Sequence, residues 1–234
     1  MKIAVIPARG GSKRIPNKNI KLFCNKPIIA YSIEAALGSE LFDRVIVSTD
    51  AEEIASVAEK YGAEIPFMRP KELADDITGT NAVIRHAIEW FEQRGENISY
   101  ACGIYATCPM IQIRYLQQGY QELIRSKCLF AFSVTTFPAP IQRAVRITEQ
   151  GGVEAIWPEN INVRSQDLEE TYHDAGQFYW GKADGFLSDK LTFSDVSVPV
   201  VLPRYLVQDI DTLEDWVRAE LMYKAMRIQE NGIQ

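Results

Sequence analysis

Strand patterns alternate with helix patterns up to about residue 135, and this alternation constrains the fold more than any other feature of the chain. The strand patterns are short apolar runs at residues 3–8, 44–50, 100–107 and 129–135. The helix patterns have apolar residues along one side and lie at residues 27–37, 51–61, 80–94 and 114–126. This alternation predicts a three-layer α/β domain with a mostly parallel, Rossmann-like sheet.

The pattern changes near residue 137, where proline and glycine interrupt short β-prone pieces at 144–148 and 153–157. We predict an antiparallel insertion over residues 137–175 that protrudes from a single domain of residues 1–234. The later part of the chain is expected to add strands and a closing helix, at residues 176–181, 198–202 and 211–229.

Composition narrows the class of protein. With 234 residues, 47% hydrophobic and 24% charged, the chain suits one globular domain with a sizeable core. A net charge of -6 argues against binding to nucleic acid or to an anionic membrane surface. We expect no transmembrane segment and no signal peptide. The cysteines lack CxxC spacing, which favours reduced thiols and a cytoplasmic location; they are Cys24, Cys102, Cys108 and Cys128.

A basic loop at residues 7–19 follows the first predicted strand and carries four basic residues and two adjacent glycines. From Met1 to Ile33 there are seven lysines or arginines and no acid. Since ligands of open α/β sheets bind beyond the carboxyl ends of the strands, the loop lies where a ligand is expected. A basic loop in an acidic protein indicates a small polyphosphate ligand, with a solvated basic turn as the alternative.

The residue types of this loop suit phosphate. Gly10 and Gly11 let backbone amides approach a ligand closely and form an anion-binding nest. Arg9 can bind phosphate oxygens in bidentate fashion, Lys13 supplies a point charge and Ser12 adds a hydroxyl donor. The loop matches neither GxxxxGKS/T nor GxGxxG, so the two common nucleotide-binding loops are excluded.

An acidic pair near the C-terminus indicates a metal site. Asp209 and Asp211 are two residues apart, which places both carboxylates on one side of an extended segment. Carboxylate oxygens together with substrate phosphates are ligands that Mg²⁺ prefers. The segment from Asp211 to Glu214 also matches a capping box for the closing helix. Capping would explain Asp211 but not Asp209, and the two roles can coexist.

Several motifs together resemble the CMP-sugar synthetases, the cytidylyltransferases that activate nonulosonic acids such as sialic acid. The motifs are ARGGSKRIPNKN at residues 8–19, Ser48-Thr49-Asp50, RPxELA at 69–74, Arg164-x-Gln166-x-Leu168, and QDIDT at 208–212. The resemblance covers essentially the whole chain and implies a nucleotide-diphospho-sugar transferase fold.

The same resemblance implies the nucleotide site. In that family the first loop wraps the triphosphate of CTP, so Arg9, Gly10, Gly11, Ser12 and Lys13 are expected to bind phosphates. Asn19 is expected to contact the cytosine, and Arg69 the nucleotide or its phosphates. Thr80 matches a hydroxyl near the base, or it serves only as a helix N-cap. Asp209 and Asp211 are expected to hold Mg²⁺.

The activity implied is the reaction of CTP with a 2-keto sugar acid to give a CMP-sugar and pyrophosphate. The anomeric hydroxyl attacks the α-phosphorus directly, so the reaction depends on positioning and charge neutralisation. We expect Lys13, Arg9 and Asp211 to be the catalytic residues, with Mg²⁺ as cofactor. A metal-bound water held by Asp211 is one candidate for the base.

The predicted sugar side departs from typical sialic acid synthetases. Their QPTSPLR-like stretch is replaced at residues 105–111, with Tyr105 in place of the glutamine and Ile111 in place of the arginine. This change suits a less hydroxylated, 9-deoxy sugar. The stretches at 137–144 and 172–181 resemble the pseudaminic acid cytidylyltransferases, which favours pseudaminic acid as acceptor. The expected sugar-binding residues are Tyr105, Gln142, Arg164, His173, Gln177 and Tyr179, although His173 alone is equally compatible with a structural hydrogen bond.

The insertion is expected to mediate assembly. In the family an equivalent projection reaches into a neighbouring subunit, which implies a homodimer; a lid or an ordinary surface hairpin is the alternative. Other acceptors remain open, namely N-acetylneuraminic acid, legionaminic acid, a hexose 1-phosphate or another octulosonate, although the chain lacks the GxGTRxxP-like loop usual in sugar-1-phosphate enzymes. A non-catalytic nucleotide-binding regulator is a further alternative, although Lys13, Asp209 and Asp211 argue against it.

Overall fold

The computed structural model describes residues 1–231, which form a six-stranded sheet with helices on both faces. The strands are β1 Lys2–Pro7, β2 Leu22–Phe23, β3 Lys26–Pro27, β4 Arg44–Ser48, β5 Tyr100–Ile104, β6 Phe130–Thr136, β7 Val145–Ile147, β8 Val153–Ala155, β9 Tyr172–Lys182 and β10 Ser197–Val201. The α-helices are α1 Ile28–Gly38, α2 Glu52–Lys60, α3 Thr80–Glu92, α4 Ile113–Arg125, α5 Ala183–Leu187 and α6 Leu213–Asn231.

The main sheet has the strand order β10-β6-β9-β5-β1-β4. Strand β9 runs antiparallel to both of its neighbours, β5 and β6, whereas β1 pairs in parallel with β4 and β5, and β10 pairs in parallel with β6. The prediction of a mostly parallel sheet in an α/β fold is confirmed. The chain enters β9 from the insertion and therefore runs against the other strands.

Strand β1 shows why the sheet strands are continuously apolar. Ala4 and Ile6 pack in the cluster that contains the buried faces of α1, α2 and α4. Ile3 and Val5 point to the opposite face and pack with α3 and α5. Because both faces of the strand are covered, every residue from Ile3 to Ile6 is buried, and no polar alternation is visible in the sequence.

The insertion contains the predicted hairpin, in which β7 and β8 pair antiparallel with Arg146 opposite Glu154. Its predicted end at residue 175 is wrong. Strand β9 already begins at Tyr172, which pairs with Thr136 of β6, so the insertion spans residues 137–171. Residues 172–174 look irregular in sequence but belong to the main sheet.

The described chain has free cysteines and a group of exposed apolar side chains in the insertion. Between residues 1 and 231, no helix is both long enough and apolar enough to cross a membrane. All four cysteines are free thiols, with Cys102 and Cys108 buried. The insertion exposes apolar side chains, with between 39% and 80% of each accessible; they are Val145, Ile147, Val153, Ile156, Trp157 and Ile161.

Candidate active site

A cleft of about 350 Å³ opens beyond the carboxyl ends of β1 and β5. The basic loop after β1 forms one wall, the start of α3 and the loop before it form another, and Asp211 closes one end. The structure thus brings together most of the residues predicted for CTP and catalysis. Those that line the cleft are Arg9, Ser12, Lys13, Asn19, Arg69, Thr80 and Asp211, and the predicted sugar-binding residue Tyr105 lines it as well.

The two loop glycines have different roles. A Cβ added at Gly11 would meet no heavy atom within 4 Å, as expected for a backbone open to a ligand. A Cβ at Gly10 would lie 3.0 Å from the Cβ of Ala51, and its amide donates to Asp50 Oδ1 at 2.8 Å. The prediction that both amides are free for phosphate is therefore wrong for Gly10, which packs the loop against the end of β4.

The two predicted phosphate cations share one carboxylate. Arg9 Nη1 donates to Asp76 Oδ1 at 2.5 Å and to the Asp75 carbonyl at 2.7 Å. Lys13 Nζ donates to the other oxygen of Asp76. Arg9 and Lys13 therefore converge on one point in the cleft, which is the arrangement that phosphate oxygens require.

Asp211 is bordered by two further cations of the basic loop. Its Oδ1 lies 2.9 Å from Arg14 Nη2 and 3.4 Å from Lys18 Nζ, and Lys18 also donates to the Ile210 carbonyl at 2.7 Å. These contacts hold the carboxylate at the phosphate end of the cleft. Arg14 and Lys18 were not assigned roles from the sequence.

The predicted capping role of Asp211 is wrong by one residue. Thr212 is the capping residue of α6, because its Oγ1 accepts from the Asp215 amide at 3.2 Å. Asp215 Oδ2 in turn accepts from the Thr212 amide at 2.8 Å, which completes a reciprocal capping box. The Thr212 hydroxyl also donates to Asp215 Oδ2 at 2.8 Å, and this bond, followed by the bond from the Thr212 amide, lowers the pKa of Asp215. Asp211 is thereby left available to the cleft.

Asp209 and Asp211, the predicted metal ligands, lie two residues apart in the segment before α6. Asp209 lines a neighbouring cavity while Asp211 lines the cleft, so the pair lies at the boundary between the two. Partial burial, and next the charge of Asp211, raises the pKa of Asp209. Within residues 1–231 no group of three or more metal-ligating side chains occurs. Mg²⁺ commonly uses one or two carboxylates and completes its shell with water and substrate phosphate, so two carboxylates suffice.

Arg69 and Asn19 are buried at the cleft. Asn19 Nδ2 donates to the Arg9 carbonyl at 2.9 Å, which fixes the start of the basic loop. Arg69 is 5% exposed, donates from Nε to Ser48 Oγ at 3.0 Å and also bonds the Ser48 carbonyl. Burial lowers the pKa of Arg69 to about 10, so it remains a cation at neutral pH. Arg69 is therefore a buried cation of the cleft wall and not a solvated surface charge.

Thr80 does not cap a helix. Gly79 is the capping position of α3, without a side-chain bond, and Thr80 is the first helical residue. Its hydroxyl lies 3.5 Å from the hydroxyl of Tyr105. Both side chains line the cleft, and the ligand role of Thr80 stays a prediction.

A second cavity of about 830 Å³ adjoins the cleft, and Tyr105 lines both. His173 lines it as well, although its Nδ1 lies 2.8 Å from the Asp174 carbonyl and its ring packs on Phe137. The predicted metal ligand Asp209 lines it too, and further polar lining residues that were not assigned roles from the sequence include Asp174, Arg204, Gln208 and Arg218. This cavity is where an acceptor next to the triphosphate would lie.

Two predicted sugar contacts are buried behind this cavity instead. Gln177 is buried and donates to the Leu206 carbonyl at 2.6 Å. Tyr179 is buried, packs on Phe132 and donates its hydroxyl to Asp174. Burial raises the pKa of Tyr179. Both residues support the cavity wall, so their predicted contact with the sugar is wrong.

Ile111 also lies away from the cavities. It is buried in the core cluster of the sheet and α4. The proposed exchange of an arginine for an alkyl chain against the sugar is therefore wrong, and of the two replacements only Tyr105 faces the cavities.

The structure does not bring the insertion residues Gln142 and Arg164 to either cavity. Gln142 Nε2 donates to the Glu169 carbonyl at 2.9 Å, and its Oε1 is buried without a partner. Arg164 is exposed and pairs with Asp167 at 2.7 Å. Any contact of Arg164 with a sugar depends on the predicted dimer and stays a prediction.

The sequence interpretation also missed the acidic loop of the cleft. Asp75, Asp76 and Thr78 line the cleft between Arg69 and α3. The available signal was their position, since two adjacent acids follow directly after the RPxELA motif at 69–74.

Comparison with known proteins agrees with this geometry. A model of the family described as cytidylyltransferase matches residues 3–188. The chain belongs to the cytidylyltransferase family. This cytidylyltransferase is 46% identical over 222 residues to a pseudaminic acid cytidylyltransferase of Campylobacter jejuni subsp. jejuni serotype O:2, which covers 95% of the chain and 96% of that relative.

A relative with lower sequence identity is named for a different sugar acid. The CMP-N,N'-diacetyllegionaminic acid synthase of Legionella pneumophila subsp. pneumophila is 30% identical over 99% of the chain and 98% of the relative. Among solved structures, a CMP:2-keto-3-deoxy-manno-octonic acid synthetase complexed with CTP matches 98% of the chain and 99% of that structure. Its TM-score is 0.67 at 17% identity. That likeness confirms the fold.

Proposed function

We propose that this cytidylyltransferase transfers CMP from CTP to the anomeric 2-hydroxyl of pseudaminic acid and releases pyrophosphate. One observation carries the proposal: a cleft with convergent cations and an aspartate opens, across the shared side chain of Tyr105, onto a second polar cavity. The 46% identity to a pseudaminic acid cytidylyltransferase over nearly the full length of both chains supports the acceptor.

The nucleotide binds in the cleft. Arg9, Ser12 and Lys13 bind the triphosphate, since the two cations already converge on one point of the cleft. Asn19 contacts the cytosine from its buried position beside the loop, and Arg69 supports the same wall. Together these residues place the α-phosphorus toward the boundary with the second cavity.

Asp209 and Asp211 would hold Mg²⁺ at that boundary. When bound, the ion supplies charge neutralisation to the phosphate oxygens as pyrophosphate leaves. The raised pKa of Asp209 supports this assignment, because it indicates partly buried negative charge that a cation would stabilise.

The acceptor lies in the second cavity between Tyr105 and His173. Its anomeric oxygen forms a bond to the α-phosphorus, the bond from that phosphorus to the α–β bridging oxygen breaks, and the hydroxyl proton passes to a base. Negative charge grows on the pyrophosphate, where Arg9 and Lys13 stabilise it. The chain thus contributes positioning and charge, which account for most catalysis of phosphoryl and nucleotidyl transfer.

A panel of acceptors tests the reaction. We expect pyrophosphate release with CTP, Mg²⁺ and pseudaminic acid, at a kcat/KM about tenfold or more above that for N-acetylneuraminic acid or N,N'-diacetyllegionaminic acid. Equal turnover of the three acids would show that the acceptor assignment is wrong. No release with any acid would leave the alternative of a nucleotide-binding regulator.

We also propose that the protein is a homodimer assembled through the insertion. The exposed apolar side chains of the insertion support this, since contiguous apolar surface commonly marks protein interfaces. The dimer would give Arg164 a route to a partner's acceptor cavity. The cytoplasmic location remains a prediction from the cysteine pattern.

A further inference from the structure

Asp76 occupies the place where the proposed function puts phosphate. Its two carboxylate oxygens accept hydrogen bonds from the two phosphate cations, Oδ1 from Arg9 and Oδ2 from Lys13. The proposed function assigns the triphosphate to these same two side chains. One carboxylate therefore satisfies, within the protein, the donors that the nucleotide must engage.

We propose that Asp76 is an internal competitor of the nucleotide, whose carboxylate must leave Arg9 and Lys13 before the triphosphate binds. The inference rests on the proposed role of the cleft. Hydrogen bonds from Lys13 and then from Arg9 lower the pKa of Asp76, so the competing group is fully charged at neutral pH. A charged carboxylate left beside bound phosphates would also repel them.

The loop that carries Asp76 is built so that the side chain can move alone. Its turn is held by the preceding residue, since Asp75 Oδ1 accepts from the amides of Ile77 at 3.0 Å and Thr78 at 2.6 Å. The side-chain bonds of Asp76 go only to the two cations within the described chain. Release of the carboxylate therefore leaves the backbone turn intact.

Removal of the Asp76 charge is expected to change the affinity for phosphate only moderately. The Asp76 side chain is 46% exposed, and Lys13 is more exposed still. Exposed ion pairs contribute little because water screens them and long side chains lose freedom. Removal of two such competing pairs should tighten phosphate binding about three- to tenfold, with less effect as salt rises.

Calorimetric titration with inorganic tripolyphosphate, in EDTA and without Mg²⁺, tests the inference apart from metal binding and turnover. Asp76→Asn keeps the size and an acceptor oxygen but removes the charge. We expect its Kd to fall about three- to tenfold below that of the unmodified protein. Glu92→Gln removes the same charge at the far end of α3 and should leave Kd within about twofold.

A double variant tests whether the gain in phosphate affinity depends on the pair between Asp76 and Lys13. In a Lys13→Met background one of the two competing pairs no longer exists, so adding Asp76→Asn should improve binding by a clearly smaller factor than in the unmodified protein. An unchanged or higher Kd for Asp76→Asn overturns the inference. If Lys13→Met still weakens binding in that case, the proposed phosphate role of the cleft stands. If tripolyphosphate and CTP bind none of these proteins, the cleft assignment and the inference both fail.

Discussion

Lys13 and Lys26 belong to the same basic segment of the sequence, but only Lys13 lines the cleft. Lys26 pairs with Glu34 and lies over the ring of Tyr31, 4.1 Å from its centroid. The number of basic residues therefore indicates which segment of the sequence forms the site. Which of these residues face the cleft depends on the path of the loop.

The two lysines allow a matched test. Lys13→Met should lower kcat/KM for CTP about 30-fold or more, because it removes a donor to charge that grows in the transition state. Lys26→Met removes an equal charge away from the cleft and should change kcat/KM less than about threefold. Steady-state pyrophosphate release at saturating acceptor measures both. Equal losses would mean that the net charge of the segment, rather than Lys13, attracts CTP.

The residue types and loops of the site were predictable from sequence, but the direction of individual side chains was not. Arg9, Lys13 and Asp211 stand in loops and belong to polar motifs that the sequence alone singles out. Gln177 and Tyr179 stand in a strand, two residues apart, and therefore share one face of β9. Both faces of this part of β9 are buried because the strand lies inside the sheet between β5 and β6, and that place depends on distant pairing.

At the scale of secondary-structure elements, two acids at the start of α6, Asp211 and Asp215, make different contacts. Asp211 faces the cations of the basic loop, while Asp215 completes the capping box with Thr212. The sequence pattern predicts a capping box of Asp211 and Glu214, although Thr212 also has an acid, Asp215, three positions later. The hydrogen bonds assign capping to Thr212 and leave Asp211 for chemistry.

Asp211→Ala should lower kcat at least about 100-fold at ordinary Mg²⁺, because the proposed metal loses a ligand at the phosphate end of the cleft. Unfolding by urea should show a small change, since Asp211 is paired only with partly exposed cations. Turnover that survives this substitution at ordinary Mg²⁺ would refute the metal assignment.

Asp215→Ala should do the opposite, with kcat/KM within about threefold and a free energy of unfolding lower by about 0.5 to 2 kcal/mol at pH 7. The pKa of Asp215 is lowered in the folded state, so its stabilisation exists above the unfolded pKa and is lost as pH falls through the folded value. The difference in urea stability between the two proteins should therefore shrink as pH falls from 7 toward about 3. A constant difference would mean that the charge of Asp215 does not contribute.

For the whole molecule, the three-layer arrangement was predictable, because each strand and each helix shows its own local pattern of apolar residues. The position of β9 between β5 and β6 could not be predicted from a local sequence pattern. It depends on a chain reversal through the insertion, and it brings His173 and Asp174 beside Tyr105 to complete the second cavity.

The assembly prediction also belongs to the whole molecule. Ile147 is 80% exposed on the hairpin, and Leu191 is 71% exposed outside the insertion. In sedimentation at micromolar concentration we expect a dimer, which Ile147→Lys weakens because it places a charge in an apolar interface. Leu191→Lys should leave the dimer intact. A monomeric unmodified protein would contradict the proposed interface.

The central claim is the transfer of CMP from the cleft to an acceptor in the adjoining cavity. Mass spectrometry of the products from CTP, Mg²⁺ and pseudaminic acid tests it most directly. The account predicts CMP-pseudaminic acid in an amount equal to the pyrophosphate released. Pyrophosphate accompanied only by free CMP, or no product at all, would contradict it.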